Sequence, residues 1–273
     1  MTAVTRPHAH AAPEQHSTWV LHVAESLDEV NRHWAALTAA GMIGAAEIDG
    51  RADVYFPRRV PDLALPGWWT QIEDRDWHEQ WRAGLRPVAA GPWTITPSWL
   101  ATGGDDEVVI DPGQAFGTGH HETTAQCLEA LDALELEGRT LLDVGTGSGV
   151  LAIAAARRGA TVLAVDTDPL AVDAAQANAL RNGVEIEIAL GSVEHAAGRR
   201  FDVVVANLDT DMLVRLAARV AAALAPGGVL VASGVSNERV DEATGALHAA
   251  ELRVSTAPGR EWSLLHASLA ETA

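Results

Sequence analysis

The sequence contains no lysine and only one cysteine, Cys127, among its 273 residues. A single cysteine excludes an intrachain disulfide and a multi-cysteine zinc site, and it is typical of a protein from a reducing compartment. No apolar run approaches the roughly 18 residues that a membrane helix needs. The first residues also lack the basic segment and apolar block of a secretory signal. We therefore expect a cytoplasmic protein without a membrane segment.

Positive charge is scarce as well, since 19 arginines face 37 acidic residues and the formal net charge is −18. Nucleic acids and anionic membranes attract cationic surfaces, so this balance argues against direct binding to either. A basic protein partner stays open. The hydrophobic share of 48% is enough for a packed core and argues against global disorder.

The composition changes near residue 90, because six of the nine tryptophans lie between Trp68 and Trp99. The chain before this point shows a small α+β pattern. Its predicted elements are a strand over 18–24, a helix over 26–41 with Ser26 as N-cap, a hairpin turning at Asp49-Gly50, and a helix that begins at Asp74 and ends before Pro87.

From about residue 100, short apolar strands alternate with helices. This alternation predicts a parallel sheet with helices on both faces. Ligands of such sheets bind beyond the carboxyl ends of the strands. The loops after Asp143, Asp166, Ser192 and Asn207 are therefore expected to surround one site.

The segment DVGTGSGVLAIAAARRGATVLAVDTDP, from Asp143 to Pro169, carries a glycine-rich loop between a strand and a helix. Glycines let a backbone turn sharply and approach a ligand closely, and Asp166 is placed to bind ribose hydroxyls. The spacing G-x-G-x-G differs from the G-x-G-x-x-G of dinucleotide-binding proteins. It favours S-adenosylmethionine, while a dinucleotide dehydrogenase and a turn without a ligand remain alternatives.

Two later segments continue the pattern. FDVVVANL ends a predicted strand with Asn207, and LAPGGVLVASG reads as a helix end, a Pro-Gly-Gly turn and a further strand. The order of glycine loop, acid, strand-end asparagine and Pro-Gly-Gly turn resembles the class I methyltransferases. This resemblance makes Asn207 the candidate residue at the reaction centre.

A third segment, DPGQAFGTGHHETT from Asp111 to Thr124, is more specific. It resembles the signature of the ribosomal protein L11 methyltransferases. The likeness covers residues 75–265 and includes WRAGLRPV, PSW, LLDVGTGSGVLAIAA, NGV, VVAN, PGG, SG and a terminal EW. The first 70 residues resemble that family only in length and α+β pattern.

The resemblance implies an α/β fold with two domains. A Rossmann-like methyltransferase domain with a mostly parallel seven-stranded sheet would follow a small α+β domain that captures the substrate, with a linker helix between them. The expected segments are a tail over 1–17, the α+β domain over 18–73, the linker helix and connection over 74–92, and the methyltransferase domain over 93–273.

The resemblance also implies the reaction. A monomer would transfer methyl groups from S-adenosylmethionine to lysine ε-amines and the N-terminal α-amine of ribosomal protein L11, before ribosome assembly, and release S-adenosylhomocysteine. Methylation of another protein or of a small amine is the alternative within the fold. A non-catalytic adaptor that only binds the cofactor is the alternative in which the protein is not an enzyme.

Matching the family motifs residue by residue gives a candidate site. The catalytic candidates are Asn207 and Phe116. The cofactor-binding candidates are Thr124, Gly145, Gly147, Asp166, Asn207, Thr118 and Ser192. The structural alternative to a binding role is a core aromatic for Phe116. For Thr124 the alternative is the N-cap of a helix, since ETTAQCLEALDAL reads as a helix.

Two further clusters have plainer interpretations. His120, His121 and Glu122 lack the H-E-x-x-H spacing that places two imidazoles on one helical face, so no metal is expected there. Asp209 and Asp211 are interpreted as favourable acids at a helix N-terminus, with substrate recognition as the alternative.

Overall fold

The computed structural model describes residues 17–23, 27–48, 50–61, 63, 65–73, 85–111 and 121–269. The chain divides into two compact units, Met1–Leu85 and Arg86–Ala273. This division falls within the segment 74–92 that the sequence assigns to the connection. Of the predicted helix over 74–86, residues 74–84 lie outside the described residues, and Leu85 and Arg86 are not helical.

The first unit is an antiparallel sheet with two short helices. Its elements are β1 (Ser17–Val23), α1 (Leu27–Arg32), α2 (Trp34–Ala39), β2 (Gly44–Ile48), β3 (Arg51–Phe56) and β4 (Gly67–Glu73). The strand order is β2-β3-β1-β4. Leu21 and Phe56 on one sheet face pack with Val30 and Leu37 of the helices, which makes a small α+β core.

The sequence predicted this unit with two errors. The pairing of Ile48 with Arg51 confirms the two-residue hairpin. The single helix predicted over 26–41 is wrong, because His33 leaves helical geometry at φ −103° and ψ 7° and separates α1 from α2. Strand β4 was not predicted. Ser26, the predicted N-cap, lies outside the described residues.

The second unit begins with a three-stranded sheet of β5 (Val88–Ala90), β6 (Trp93–Thr96) and β7 (Glu107–Val109). The main domain then follows. Its helices are α3 (Glu122–Asp132), α4 (Val150–Arg157), α5 (Pro169–Arg181), α6 (Thr210–Ala223) and α7 (Val240–Ala249). Its strands are β8 (Thr140–Val144), β9 (Thr161–Asp166), β10 (Glu187–Leu190), β11 (Phe201–Asn207), β12 (Leu224–Ser236), β13 (Leu252–Pro258) and β14 (Trp262–Leu269). Short 3₁₀ helices span Ser98–Leu100, Val193–Ala196 and Asn237–Arg239.

The main sheet has seven strands in the order β10-β9-β8-β11-β12-β14-β13. The pairs from β10 to β12 are parallel, and β14 is antiparallel to both β12 and β13. The predicted mostly parallel seven-stranded α/β sheet is therefore confirmed. Because β8 and β11 are adjacent and parallel, the loops that follow them lie at the same edge of the sheet.

Each central strand sends alternate side chains into two separate cores. Leu142 and Val204 pack with apolar residues of α6 and α7 on one face. Leu141 and Val203 pack with apolar residues of α3 and α4 on the other. Burial on both faces explains why these strands read as continuous apolar runs in the sequence.

One strand differs from its prediction. The sequence suggested that Pro226-Gly227-Gly228 is a turn before the strand. Instead, β12 begins at Leu224, which pairs with Phe201, and the ladder shifts in register before Val203 pairs with Val229. The Pro-Gly-Gly segment thus forms an irregularity within β12.

The surface charges pair through arginine. Arg158 contacts Asp106 and Asp132 and lies over the ring of Trp93 at 4.2 Å. Every ion pair between described residues uses arginine or histidine as its cation.

Among the described helices, none combines the length and the apolar character that a bilayer crossing requires.

Candidate active site

The glycine loop joins the end of β8 to the start of α4, as the sequence predicted. Gly145, Gly147 and Gly149 have φ values of 76°, 55° and 85°, in the left-handed region that favours glycine. A Cβ on Gly149 would lie 3.2 Å from the Cα and Cβ of Ala175, so this glycine also allows α4 to pack closely on α5. The first two glycines leave a backbone without side chains at the carboxyl edge of the sheet.

Asp166 is tied to this loop at the end of β9. Its Oδ2 accepts a hydrogen bond from the Gly147 N–H at 2.9 Å, and its Oδ1 accepts one from the Asp168 N–H at 3.0 Å. The side chain is half-buried. Each oxygen therefore keeps acceptor capacity while the two backbone bonds fix the carboxylate beside the loop.

Ser192 lies close to Asp166 along the sheet edge. The neighbouring Gly191 N–H donates to the Asp166 carbonyl at 2.8 Å, so the segment after β10 follows the end of β9. Ser192 is half-buried, and its carbonyl accepts from the His195 N–H. The structure thus brings Ser192 together with Gly147 and Asp166.

Asp143 is a buried carboxyl beneath the loop that the sequence analysis did not single out as a site residue. Its Oδ2 accepts from the Thr146 hydroxyl at 2.7 Å, and its Oδ1 is buried without a hydrogen-bond partner. Burial raises the pKa of this carboxyl to about 7, with a further increase from the charge of Asp166 and a partly offsetting decrease from the Thr146 hydrogen bond. A carboxyl next to the loop therefore titrates near neutral pH.

Asn207 and Thr124 meet although 83 residues separate them. The Asn207 Nδ2 donates to the Thr124 Oγ1 at 3.4 Å, at the junction of β11 and α3. This contact uses the amide nitrogen of Asn207, and the other side-chain atom, Oδ1, is a hydrogen-bond acceptor. Thr124 is fully buried, and its N–H bonds to the His121 carbonyl.

Thr124 does not cap the helix that carries it. His121 is the N-cap of α3, with its Nδ1 3.3 Å from the Thr123 N and 2.8 Å from the Thr123 Oγ1. Thr124 is the third residue of the helix, so the N-cap alternative for it is wrong. Its hydroxyl is instead directed at Asn207.

Leu208, the residue after Asn207, joins the two halves of the site. A Cβ on Gly145 would lie only 2.6 Å from the Leu208 Cδ2, so the leucine side chain packs directly against the glycine loop. The Leu208 N–H donates to the Ser233 carbonyl at 3.0 Å. The residue that follows the reaction-centre candidate therefore contacts Gly145, one of the cofactor candidates.

A hydrogen-bond network that the sequence did not reveal holds the start of α3. The Glu122 carboxylate accepts from the Arg260 N–H at 2.6 Å and from the Glu261 N–H at 3.2 Å. The Gln126 amide donates to the Trp262 carbonyl and accepts from the Ser233 hydroxyl. No local signal marks these bonds, because their partners lie more than 100 residues away.

The remaining candidates have specific outcomes. Phe116, Thr118 and His120 lie outside the described residues. In the part of the chain that the structure describes, no group of three or more His, Cys, Asp and Glu side chains is arranged to hold a metal ion. Asp209 is the N-cap of α6 and accepts from the Met212 N–H at 2.8 Å, while Asp211 pairs with Arg239. The helix-terminus interpretation of these acids is thus the one the structure favours.

Comparison with known proteins agrees with this geometry. Residues 60–269 match the family described as Ribosomal protein L11 methyltransferase (PrmA). A protein named ribosomal protein L11 methyltransferase from Thermus thermophilus is 40% identical over 250 residues, which span 90% of this chain and 98% of the relative. One from Deinococcus radiodurans is 39% identical over 261 residues, spanning 89% and 96%. The crystal structure of a ribosomal protein L11 methylase from Lactobacillus delbrueckii subsp. bulgaricus aligns with a TM-score of 0.63 at 29% identity, over 68% of this chain and 99% of that one.

Proposed function

The chain belongs to the ribosomal protein L11 methyltransferase family, and from that premise we propose that it transfers methyl groups from S-adenosylmethionine to amines of ribosomal protein L11. The observation that carries the proposal is the placement of the Asn207 amide, bonded to Thr124 at the edge of the sheet and joined through Leu208 to the glycine loop. An enzyme that methylates amines needs both a cofactor cradle and an acceptor for the amine at one place.

The residues present fit the cofactor in three ways. Gly145 and Gly147 offer backbone without Cβ atoms, so a planar or extended ligand can lie against the loop. Asp166 offers carboxylate acceptors suited to the two hydroxyls of a ribose. The partnerless Oδ1 of Asp143 is a buried acceptor below the loop, and a cationic ligand would stabilise the charged form of this carboxyl.

We assign the holding of the cofactor to Thr124, Gly145, Gly147, Asp166 and Ser192. Phe116 and Thr118 stay proposals from the family motif alone. The cofactor supplies an electrophilic methyl group on a sulfonium when it is bound. The work left to the chain is to bind it, to exclude water and to orient the acceptor amine.

The acceptor must reach the site as a neutral amine, because the lone pair is the nucleophile. A free lysine has a pKa of about 10.4 and is mostly protonated at neutral pH. Removal from water disfavours the ammonium form, so entry into a closed site releases the proton without a strong base. The Asn207 Oδ1 would then accept a hydrogen bond from the amine and fix the direction of its lone pair.

The acceptor amines that we propose are lysine ε-amines and the N-terminal α-amine of L11. We assign capture of L11 to the first unit and the chemistry to the second. We further propose a monomer that acts in the cytoplasm on L11 before ribosome assembly. The net charge of −18 supports a basic protein substrate over direct contact with RNA.

A methylation assay with two acceptors tests the function. Purified enzyme and labelled S-adenosylmethionine are incubated with recombinant L11 or with free lysine, and the mass increase of each acceptor is measured. We expect label on L11 and none on lysine, and Asn207→Ala should lower the rate. Transfer to the free amine at the same rate as to L11 would instead favour a small-molecule methyltransferase.

A further inference from the structure

The dipeptide Ser233-Gly234 lies beside the candidate reaction centre, near the carboxyl end of β12. Asn207 pairs with Ser233 across the parallel ladder, and the next residue, Leu208, donates its N–H to the Ser233 carbonyl. On the other side of β12 the antiparallel ladder shifts in register between Ala232 and Val235. The dipeptide therefore lies at an irregularity of the strand, opposite Asn207 at the end of β11.

Gly234 permits an approach that a side chain would prevent. Its φ is 87°, and a Cβ at this position would lie 2.3 Å from the Leu208 carbonyl oxygen and 2.7 Å from the Leu208 carbonyl carbon. These are backbone atoms, which cannot turn aside as a flexible side chain can. Ordinary carbon contacts lie at about 3.5 Å, so any side chain at 234 would force the two backbones apart by about 1 Å.

Ser233 ties the same place to α3. Its side chain is fully buried, and its hydroxyl donates to the Gln126 Oε1 at 2.6 Å. Gln126 lies on the helix that carries Thr124, and Thr124 accepts the hydrogen bond from Asn207. The dipeptide thus holds both members of the Asn207–Thr124 contact, one through the backbone at Leu208 and the other through α3.

We propose that Gly234 is a positioning residue for methyl transfer. By permitting the close approach of β12 to the Leu208 carbonyl, it sets the position of the Asn207–Leu208 backbone and hence that of the Asn207 amide. This inference rests on the proposed function. A misplacement of about 1 Å at a reacting centre lowers rates by about a hundredfold. Leu208 also packs against Gly145, but Gly147 follows β8, Asp166 ends β9 and Ser192 follows β10. Cofactor binding should therefore change less than kcat, because these three cofactor candidates are placed by other strands.

Gly227 offers a matched control within the same strand. It also has a left-handed φ, 77°, but a Cβ there would meet nothing within 4 Å. Gly227→Ala therefore has the same backbone strain as Gly234→Ala without the contact at Leu208. A difference between the two variants isolates the displacement of Leu208 from the cost of a positive φ.

Both variants are measured with full-length enzyme for kcat and KM on L11, for the Kd of S-adenosylmethionine by calorimetry, and for hydrogen exchange at the Leu208 amide. We expect kcat to fall about a hundredfold in Gly234→Ala, with a Kd change below threefold and faster exchange at Leu208, and we expect Gly227→Ala to match the parent. Equal kcat in the two variants, or a Kd that weakens in proportion to kcat, would overturn the positioning role.

A second variant keeps the test decisive if Gly234→Ala does not fold. Ser233→Ala removes the hydroxyl that donates to the Gln126 Oε1 at 2.6 Å and to the Ser263 carbonyl at 3.3 Å. We expect kcat to fall about tenfold with Kd unchanged, the size of effect that loss of buried hydrogen bonding produces. An unchanged kcat in Ser233→Ala would then refute the proposal. If the parent itself fails to methylate L11, the proposed function is wrong, and the exchange rate at Leu208 alone decides whether Gly234 sets that backbone.

Discussion

The buried carboxyl of Asp143 should make the stability of the apoenzyme depend on pH near neutrality. Its folded-state pKa of about 7 lies above the value of about 4 for an unfolded aspartate. The folded state therefore binds more protons than the unfolded state between these values, and stability falls as pH rises. The favourable contribution is complete below about pH 4 and is lost once the pH passes 7.

Asp143→Asn removes this titration while it keeps the size of the side chain. Each pKa unit corresponds to about 1.4 kcal/mol, so the parent should lose about 3 kcal/mol between pH 5 and pH 8 that the variant does not lose. The measured quantity is the free energy of unfolding by urea, without cofactor, for both proteins at four pH values. The free energy of unfolding of the variant minus that of the parent should therefore increase as pH rises.

Asp202→Asn serves as the matched control. Its Oδ2 accepts bonds from the N–H and hydroxyl of Thr140, which hold its pKa below the usual value. The stability from this residue is present above about pH 4 and is lost only as pH falls further, so its effect should be constant from pH 5 to pH 8. A flat difference for Asp143→Asn across the same range would show that this carboxyl is ionised throughout, and the argument from burial would be wrong.

Three further predictions concern the cofactor and the units. Asp166→Ala should weaken S-adenosylmethionine binding by about 2–3 kcal/mol in calorimetry and lower the melting temperature, because the Gly147 N–H loses its acceptor; an unchanged Kd would remove Asp166 from the site. S-adenosylmethionine and S-adenosylhomocysteine should raise the melting temperature while NAD does not, and the opposite pattern would support a dehydrogenase. A fragment of residues 86–273, which retains β5 with its buried Ala90, should fold by circular dichroism and bind S-adenosylmethionine but not methylate L11 efficiently; methylation at the full rate would reject the capture role of the first unit.

The part of the site that follows from sequence is the part built by local rules. The segment from Asp143 to Pro169 encodes a strand, a loop of glycines and a helix within a few residues, and Asp166 ends the next strand. Parallel order then brings the ends of β8, β9 and β11 to one edge. Spacing along the chain is sufficient for these elements because each is formed by neighbours in sequence.

Other features depend on partners far along the chain. The bond between Ser233 and Gln126 joins residues 107 positions apart, and Leu224, the first residue of β12, pairs with Phe201 on a neighbouring strand. Residue preferences for the N-cap position were also misleading at α3. Threonine is a commoner N-cap than histidine, which favoured Thr124, yet His121 holds that position. The break at His33 likewise carries no glycine or proline to announce it.

The absence of lysine from the chain has a consequence for the enzyme's own chemistry. The methyl acceptors that we propose are amines, which lose a proton far more readily than a guanidinium does. Because the chain has no lysine, none of its side chains offers an ε-amine to its own cofactor. Self-modification of lysine is impossible, and every methyllysine found in a reaction mixture of the two proteins originates from the substrate.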